Sequence, residues 1–89
     1  MSIEFAKSLS GHDKNRIYYI WKKEERFAYL VDGKTHTLEK PKKKNEKHYQ
    51  IVKQIPGFIL EPLSKEETLT DAMIYRAVKA YDQSISRRQ

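Results

Sequence analysis

The chain has 89 residues, 38% of them hydrophobic, with ten aromatic rings and a formal charge of +6. That length allows one domain with an economical core, and the ring content excludes a composition typical of disordered tails. With no cysteine, disulfides, thiolate metal sites and thiol nucleophiles are excluded together.

The opening Met1-Ser2-Ile3-Glu4-Phe5 has no basic region followed by an apolar run, so no signal peptide is expected. No apolar stretch approaches the roughly 20 residues of a membrane span, and a cytoplasmic location is the default expectation. Ile3 to Ser8 predicts a short strand ended by the Ser10-Gly11 turn signal. Ile17-Tyr18-Tyr19-Ile20-Trp21 is the strongest strand signal, being aromatic and β-branched throughout. After the charged Lys22-Lys23-Glu24-Glu25, the run Phe27 to Val31 returns as the second arm of an antiparallel hairpin. Asp32-Gly33 marks the next turn, and Thr35 to Leu38 reads as a third strand of a tight meander. Three strands in so short a span leave no room for a helical crossover, which favours a small antiparallel barrel.

Lys40 to His48 is polar and without periodicity, so it reads as a loop or irregular edge, and Pro41 forbids a central strand there. Tyr49 to Ile55 can close the barrel before Pro56-Gly57 interrupts. Phe58-Ile59-Leu60 is an apolar patch between two prolines. Ser64-Lys65-Glu66-Glu67 fits a capping box opening one helical turn. Thr70-Asp71 is a second N-cap signal for a clear helix. Its stripe of Leu69, Met73, Ala77 and Tyr81, flanked by Ile74 and Val78, packs on the barrel. Ser84 to Gln89 is expected to fray. The predicted class is mainly β: a barrel over 1–63, with 64–89 as a helical extension of the same domain.

Residues 1–63 carry thirteen Lys/Arg against eight Asp/Glu, and residues 64–89 five against four. The excess therefore lies in the barrel region and favours a polyanionic partner. Two segments concentrate it. Lys40, Lys42, Lys43, Lys44 and Lys47, followed by His48, suit phosphate as flexible point charges and do not read bases well. Gly11-His12-Asp13-Lys14-Asn15-Arg16 sits directly before the strongest strand. Gly11 permits a tight turn and close backbone approach there, and Lys14 and Arg16 can reach phosphate. Tyr18, Tyr19 and Trp21 are candidates for stacking on unpaired bases. Strand alternation puts Tyr19 and Trp21 on one face and Tyr18 on the other, without deciding which face is buried.

The stretch Phe5 to Ile17, read as FAKSLSGHDKNRI, resembles the KOW motif of short bacterial RNA-binding proteins, which are similar to a group of large-subunit ribosomal proteins. Tyr29-Leu30-Val31-Asp32-Gly33-Lys34 and Leu38 to His48 look like the continuation of the same family. The likeness covers roughly residues 3–55, with a looser echo from Thr70-Asp71-Ala72 to Tyr81. It implies an SH3-like barrel whose loop before the second strand touches RNA through Gly11, His12, Asp13, Lys14 and Arg16, with the lysine run adding backbone contacts. The chain departs from the family pattern in having Asn15 where glycine is usual and His12 where a basic residue is common.

Enzymatic readings are poor. His12, His36 and His48 lack the short spacings of a zinc site, and no glycine-rich phosphate loop or nucleophile elbow is present. The expectation is a non-enzymatic RNA-binding module, ribosomal RNA being the expected partner. It needs no cofactor, metal, small-molecule substrate or membrane. The alternative is an adaptor gripping a peptide in an aromatic groove, with a nonspecific double-stranded DNA binder as a third reading.

Overall fold

In the computed structural model, which describes residues 3–65 and 68–86, five strands form one antiparallel sheet and two helices cover one of its faces. The strands are β1 (Phe5–Ser8), β2 (Ile17–Glu24), β3 (Phe27–Val31), β4 (Lys42–Asn45) and β5 (Tyr49–Val52). They are ordered β4-β3-β2-β1-β5 in the sheet. A single 3-10 turn, Glu46–His48, joins the two outermost strands, β4 and β5. The chain thereby carries the sheet from one edge to the other in three residues. This curls it into the small barrel-like form expected from the sequence.

Period-two alternation gives the sheet two apolar faces. Ala6, Tyr18, Ile20, Ala28, Leu30 and Tyr49 pack together on the concave side. Phe5, Ile17 and Val31 face the other way, against Ile59, Leu63, Ile74, Ala77 and Val78 of the helices. The helices are α1 (Gly57–Lys65) and α2 (Asp71–Ser86). The expected stripe on α2 is the one that packs, and Tyr81 meets Phe5 edge-on with ring centroids 5.7 Å apart. Aromatic pairs prefer this geometry because a positive ring edge meets a negative face.

Three expectations need correction. Thr35–Leu38 is not a strand. Its backbone groups are satisfied elsewhere: the Asp32 carboxylate accepts from Lys34 N and His36 N at 2.9 Å each, and Asp71 accepts from Leu38 N at 2.8 Å. The third strand of the meander is instead β4, inside the lysine run read as a loop or irregular edge. Pro41 directly precedes it and β4 lies at an edge, where a proline is tolerated. The second correction concerns the patch 58–60, which belongs to α1. Pro56 O accepts from Ile59 N and Leu60 N, so the helical part begins before Ser64. Glu66 and Glu67 of the expected capping box lie outside the described residues. Third, α2 continues through Ser84 to Ser86 instead of fraying at Ser84, while the rest of that tail, 87–89, lies outside the described residues.

The hairpin between β2 and β3 turns at Glu25, which adopts φ 51°. A register shift between Ile20 and Lys22 places Trp21 at a bulge, where its ring stands 46% exposed.

Candidate functional site

The segment between β1 and β2 is a loop closed on itself by its own backbone. Asn15 N donates to Ser8 O at 2.8 Å, Ser8 N to Arg16 O at 2.9 Å and Arg16 N to Asp13 O at 2.9 Å. Two residues take positive φ to make this possible, Gly11 at 88° and Asn15 at 74°. Asparagine is the best non-glycine residue in that region, so Asn15 can hold φ 74° without a glycine.

The centre of the loop is Asp13, which is buried. Its Oδ1 accepts from the Ser8 hydroxyl (2.9 Å) and from Lys44 Nζ (3.0 Å), and its Oδ2 accepts from Tyr18 (2.8 Å) and Lys42 Nζ (2.8 Å). Lys44 Nζ also donates to Ser8 Oγ at 2.7 Å and Ser10 O at 3.0 Å. All three protons of a buried ammonium therefore have acceptors. Burial alone would raise the Asp13 carboxyl. The hydrogen bonds from Lys42, Lys44, Tyr18 and Ser8 outweigh it and hold the group far below the usual carboxylate range. Desolvation, followed by the bond to Asp13, pushes the Tyr18 phenol well above its ordinary value. Among the described residues no buried side-chain nitrogen or oxygen lacks a partner.

This cluster redistributes the residues expected to touch RNA. Asp13 and Lys44 are structural: a buried carboxylate and a buried ammonium pin the loop to β4. Lys42 shares that carboxylate and is only partly exposed. The reason is strand alternation. Lys42 and Lys44 share a parity that points them at the loop, while Lys43 between them points outward, its ammonium 4.4 Å from the Phe27 ring centroid. Tyr18 is also removed from the stacking set, since it is 1% exposed with its hydroxyl on Asp13. Tyr19 is half-buried against the helix-side core, and desolvation raises its phenol too. Of the three stacking candidates, Trp21 alone is exposed.

What the loop presents to solvent is Gly11, His12, Lys14, Asn15 and Arg16, all exposed. Lys40, Lys47 and His48 are exposed as well, Lys40 in the connection before β4 and the other two on the 3-10 turn. Sequence reasoning missed Phe27 and Tyr29, which with Trp21 make an aromatic strip on the outer face. Trp21 meets Tyr29 at 6.4 Å and 80°, and Lys43 covers Phe27. Period-two counting from Val31 would have placed Phe27 and Tyr29 on one face. The pairing of Tyr19 with Val31 and Ile20 with Leu30 carries Trp21 to the level of Tyr29, and the register shift after Ile20, which no sequence signal marked, leaves it there at a bulge. Ser8 was missed too, because a serine ending a strand looks like a solvated turn residue until its buried partners are known.

Among the described residues no group of three or more His, Asp or Glu side chains could hold a metal ion, and no helix is long and apolar enough to cross a membrane. Comparison of the chain with models of protein families and with curated proteins found no match to either.

Proposed function

We propose that the chain is a non-enzymatic RNA-binding module of the KOW type. It would contact the phosphate backbone through the exposed arc His12, Lys14, Asn15 and Arg16 and through the outward lysines Lys40, Lys43 and Lys47. The observation that carries this reading is the Asp13 cluster. A buried carboxylate with four side-chain partners holds the loop rigid from beneath, so the cations at its tip are presented without the ordering entropy that a floppy loop would lose on binding. The resemblance to short bacterial KOW proteins supplies the class of partner, ribosomal or another structured RNA, and with it a cytoplasmic role.

The test is binding to a structured RNA across salt concentration. Lys14, Arg16, Lys40, Lys43 and Lys47 are five cations available to phosphate. Counterion release then gives a loss of roughly a hundredfold or more between 50 and 200 mM salt. A flat salt response overturns the reading. Replacing Lys42, Lys43 and Lys44 together confounds binding with folding, because two of the three hold Asp13. Lys43→Ala with Lys14→Ala is the clean variant, and it should weaken RNA binding while leaving the fold intact.

The strip of exposed Trp21 with half-buried Tyr29 and Phe27 favours the second reading, an adaptor gripping a peptide on these rings. A Lys14→Ala/Lys47→Ala variant, which leaves Lys43 on the Phe27 ring, separates the two, since a peptide held by rings would be largely unaffected.

A further inference from the structure

A cavity of about 400 Å³ opens between the end of the β1–β2 loop, the connection after β3 and the outer face of α2. Three cations from these three elements line it: Arg16, Lys34 and Lys79. Tyr75 forms its floor. Lys34 Nζ lies 5.9 Å and Lys79 Nζ 5.5 Å from that ring's centroid, and Lys79 also reaches the Tyr75 hydroxyl at 3.4 Å. One aromatic ring thus gathers two ammonium groups. The ring quadrupole attracts each of them.

The protein only partly offsets these cations: Arg16 is near enough to Asp82 to lower its carboxyl against the rise that burial causes. Asp32 and Asp82 also line the cavity. Among the described residues, however, no ion pair within 4.0 Å involves Arg16, Lys34 or Lys79. Asp32 Oδ1 accepts from the backbone amides of Lys34 and His36, which fix the carboxylate in the turn without cancelling its charge.

The walls are rigid. Gly33 at φ 83° packs so closely on α2 that a Cβ there would lie 2.2 Å from Asp71 O and 2.7 Å from Tyr75 N. Asp71 in turn holds Leu38 N, so the segment bearing Lys34 is fastened to the helix at both ends. The volume is within the range of small-ligand sites, about 300–1,000 Å³.

We propose that this cavity is a phosphate subsite for single-stranded RNA, taking one nucleotide of a strand that passes the loop tip, with Arg16, Lys34 and Lys79 around its phosphate. The subsite rests on the RNA-binding reading above and extends it to residues outside the motif that suggested it. Arg16 belongs to both surfaces and joins them. Lysine and arginine meeting a phosphate in a recess give charge-assisted hydrogen bonds stronger than those on an open face.

The test is an NMR titration of the intact chain with uridine 5′-monophosphate and with a uridine hexamer. The proteins compared are the wild type, a Lys34→Ala/Lys79→Ala double variant, and a Lys7→Ala/Lys53→Ala control with the same charge loss on exposed positions away from the cavity. The expected result is saturable shifts of Thr35, Tyr75 and Val78 with both ligands, the hexamer binding at least tenfold tighter than the monophosphate. The Lys34/Lys79 variant should lose the monophosphate shifts and weaken the hexamer about tenfold, with a salt slope lower by up to about 0.7, the share of the one single-strand phosphate these lysines surround. The control should weaken it far less.

Equal weakening in the two variants overturns the subsite while leaving the RNA-binding reading standing. Monophosphate shifts without hexamer binding retain a phosphate site and overturn the RNA strand as its occupant, together with that reading. Absence of shifts in the cavity with either ligand overturns the subsite outright.

Discussion

Removing the Asp13 carboxylate tests whether the loop is built from beneath. In Asp13→Ala, Lys44 stays buried with an uncompensated charge, and the hydroxyl of Tyr18, itself 1% exposed, loses its acceptor. Breaking a buried ion pair by deleting one partner costs about 3–5 kcal/mol. Against the roughly 0.05–0.15 kcal/mol per residue typical of folded proteins, that is a large share of the stability of a chain this small. In thermal unfolding, at about 4–8 °C per kcal/mol for domains of this size, the midpoint should fall by at least ~12 °C. Because truncation also leaves a cavity with its own cost, a second variant is informative. Asp13→Leu with Lys44→Met removes both charges and should recover much of the loss, since apolar replacement of a whole buried pair is often close to neutral.

The pH dependence gives an independent check. The folded Asp13 carboxyl is depressed below its ordinary value of 3.8. Its contribution is therefore complete above that value and is lost as pH falls below it. The difference in stability between wild type and Asp13→Ala should stay constant from pH 7 to about pH 5, then shrink by about 1.4 kcal/mol per pH unit below ~3.8. An Asp13→Ala midpoint within about 5 °C of wild type, or a gap that does not narrow in acid, would refute the structural role.

Other substitutions probe separate parts of the molecule. Gly33→Ala drives a Cβ into the α2 backbone at a positive φ. Calorimetry should show a loss of more than about 2 kcal/mol, the combined scale of left-handed strain and overpacking. Glu25→Gly relieves φ 51° at the β2–β3 turn and should raise stability by up to about 1 kcal/mol, measured by urea unfolding. Trp21→Ala should leave the melting temperature nearly unchanged, since the ring is 46% exposed. If the outer strip stacks on bases, it should weaken single-stranded RNA binding by about 1–3 kcal/mol in a fluorescence titration. His12→Arg adds a fixed charge to the exposed loop tip and should tighten RNA binding, with a steeper salt dependence.

The β2–β3 hairpin, the closing strand and the packing stripe of α2 were legible because each rests on periodicity. Tyr18, Ile20, Ala28 and Leu30 alternate along β2 and β3, and Ile74, Ala77 and Val78 repeat along the helix. Illegible were the segments whose backbone is satisfied by distant side chains. Leu38 N finds Asp71 thirty-three residues away, and no local pattern announces that. The lysine run misled for a different reason. Three consecutive lysines carry no polarity contrast, so nothing in the sequence marks Lys42 and Lys44 as facing inward and Lys43 outward. Pro41 was read correctly as an edge signal, yet an edge is still a strand. Taking the period of two from Pro41 onward would have separated the lysines by face, though not named the partner of the inward pair.

That separation changes what the charge of the segment means. Lys42 and Lys44 together bring two positive charges to one Asp13, and both are held at 2.8–3.0 Å from it. Neither can move to an external phosphate without leaving a buried carboxylate exposed to its own desolvation. The basic run and the β1–β2 loop are accordingly one structure: the run supplies the clamp and the loop supplies the presented cations. Counting every lysine of the run as a phosphate contact would predict a salt slope larger by up to two contacts than the exposed residues can produce, a difference of about 1.8 on duplex RNA if the B-DNA value of ~0.9 per contact holds there. A measured slope corresponding to about five contacts fits a clamp with three outward lysines, Lys14 and Arg16. About two contacts more than that in the Lys34→Ala/Lys79→Ala variant, which cannot gain them from the cavity, would mean that the Asp13 cluster opens when RNA binds, and native-state hydrogen exchange at Tyr18 and Lys44 in the complex would then lose its protection.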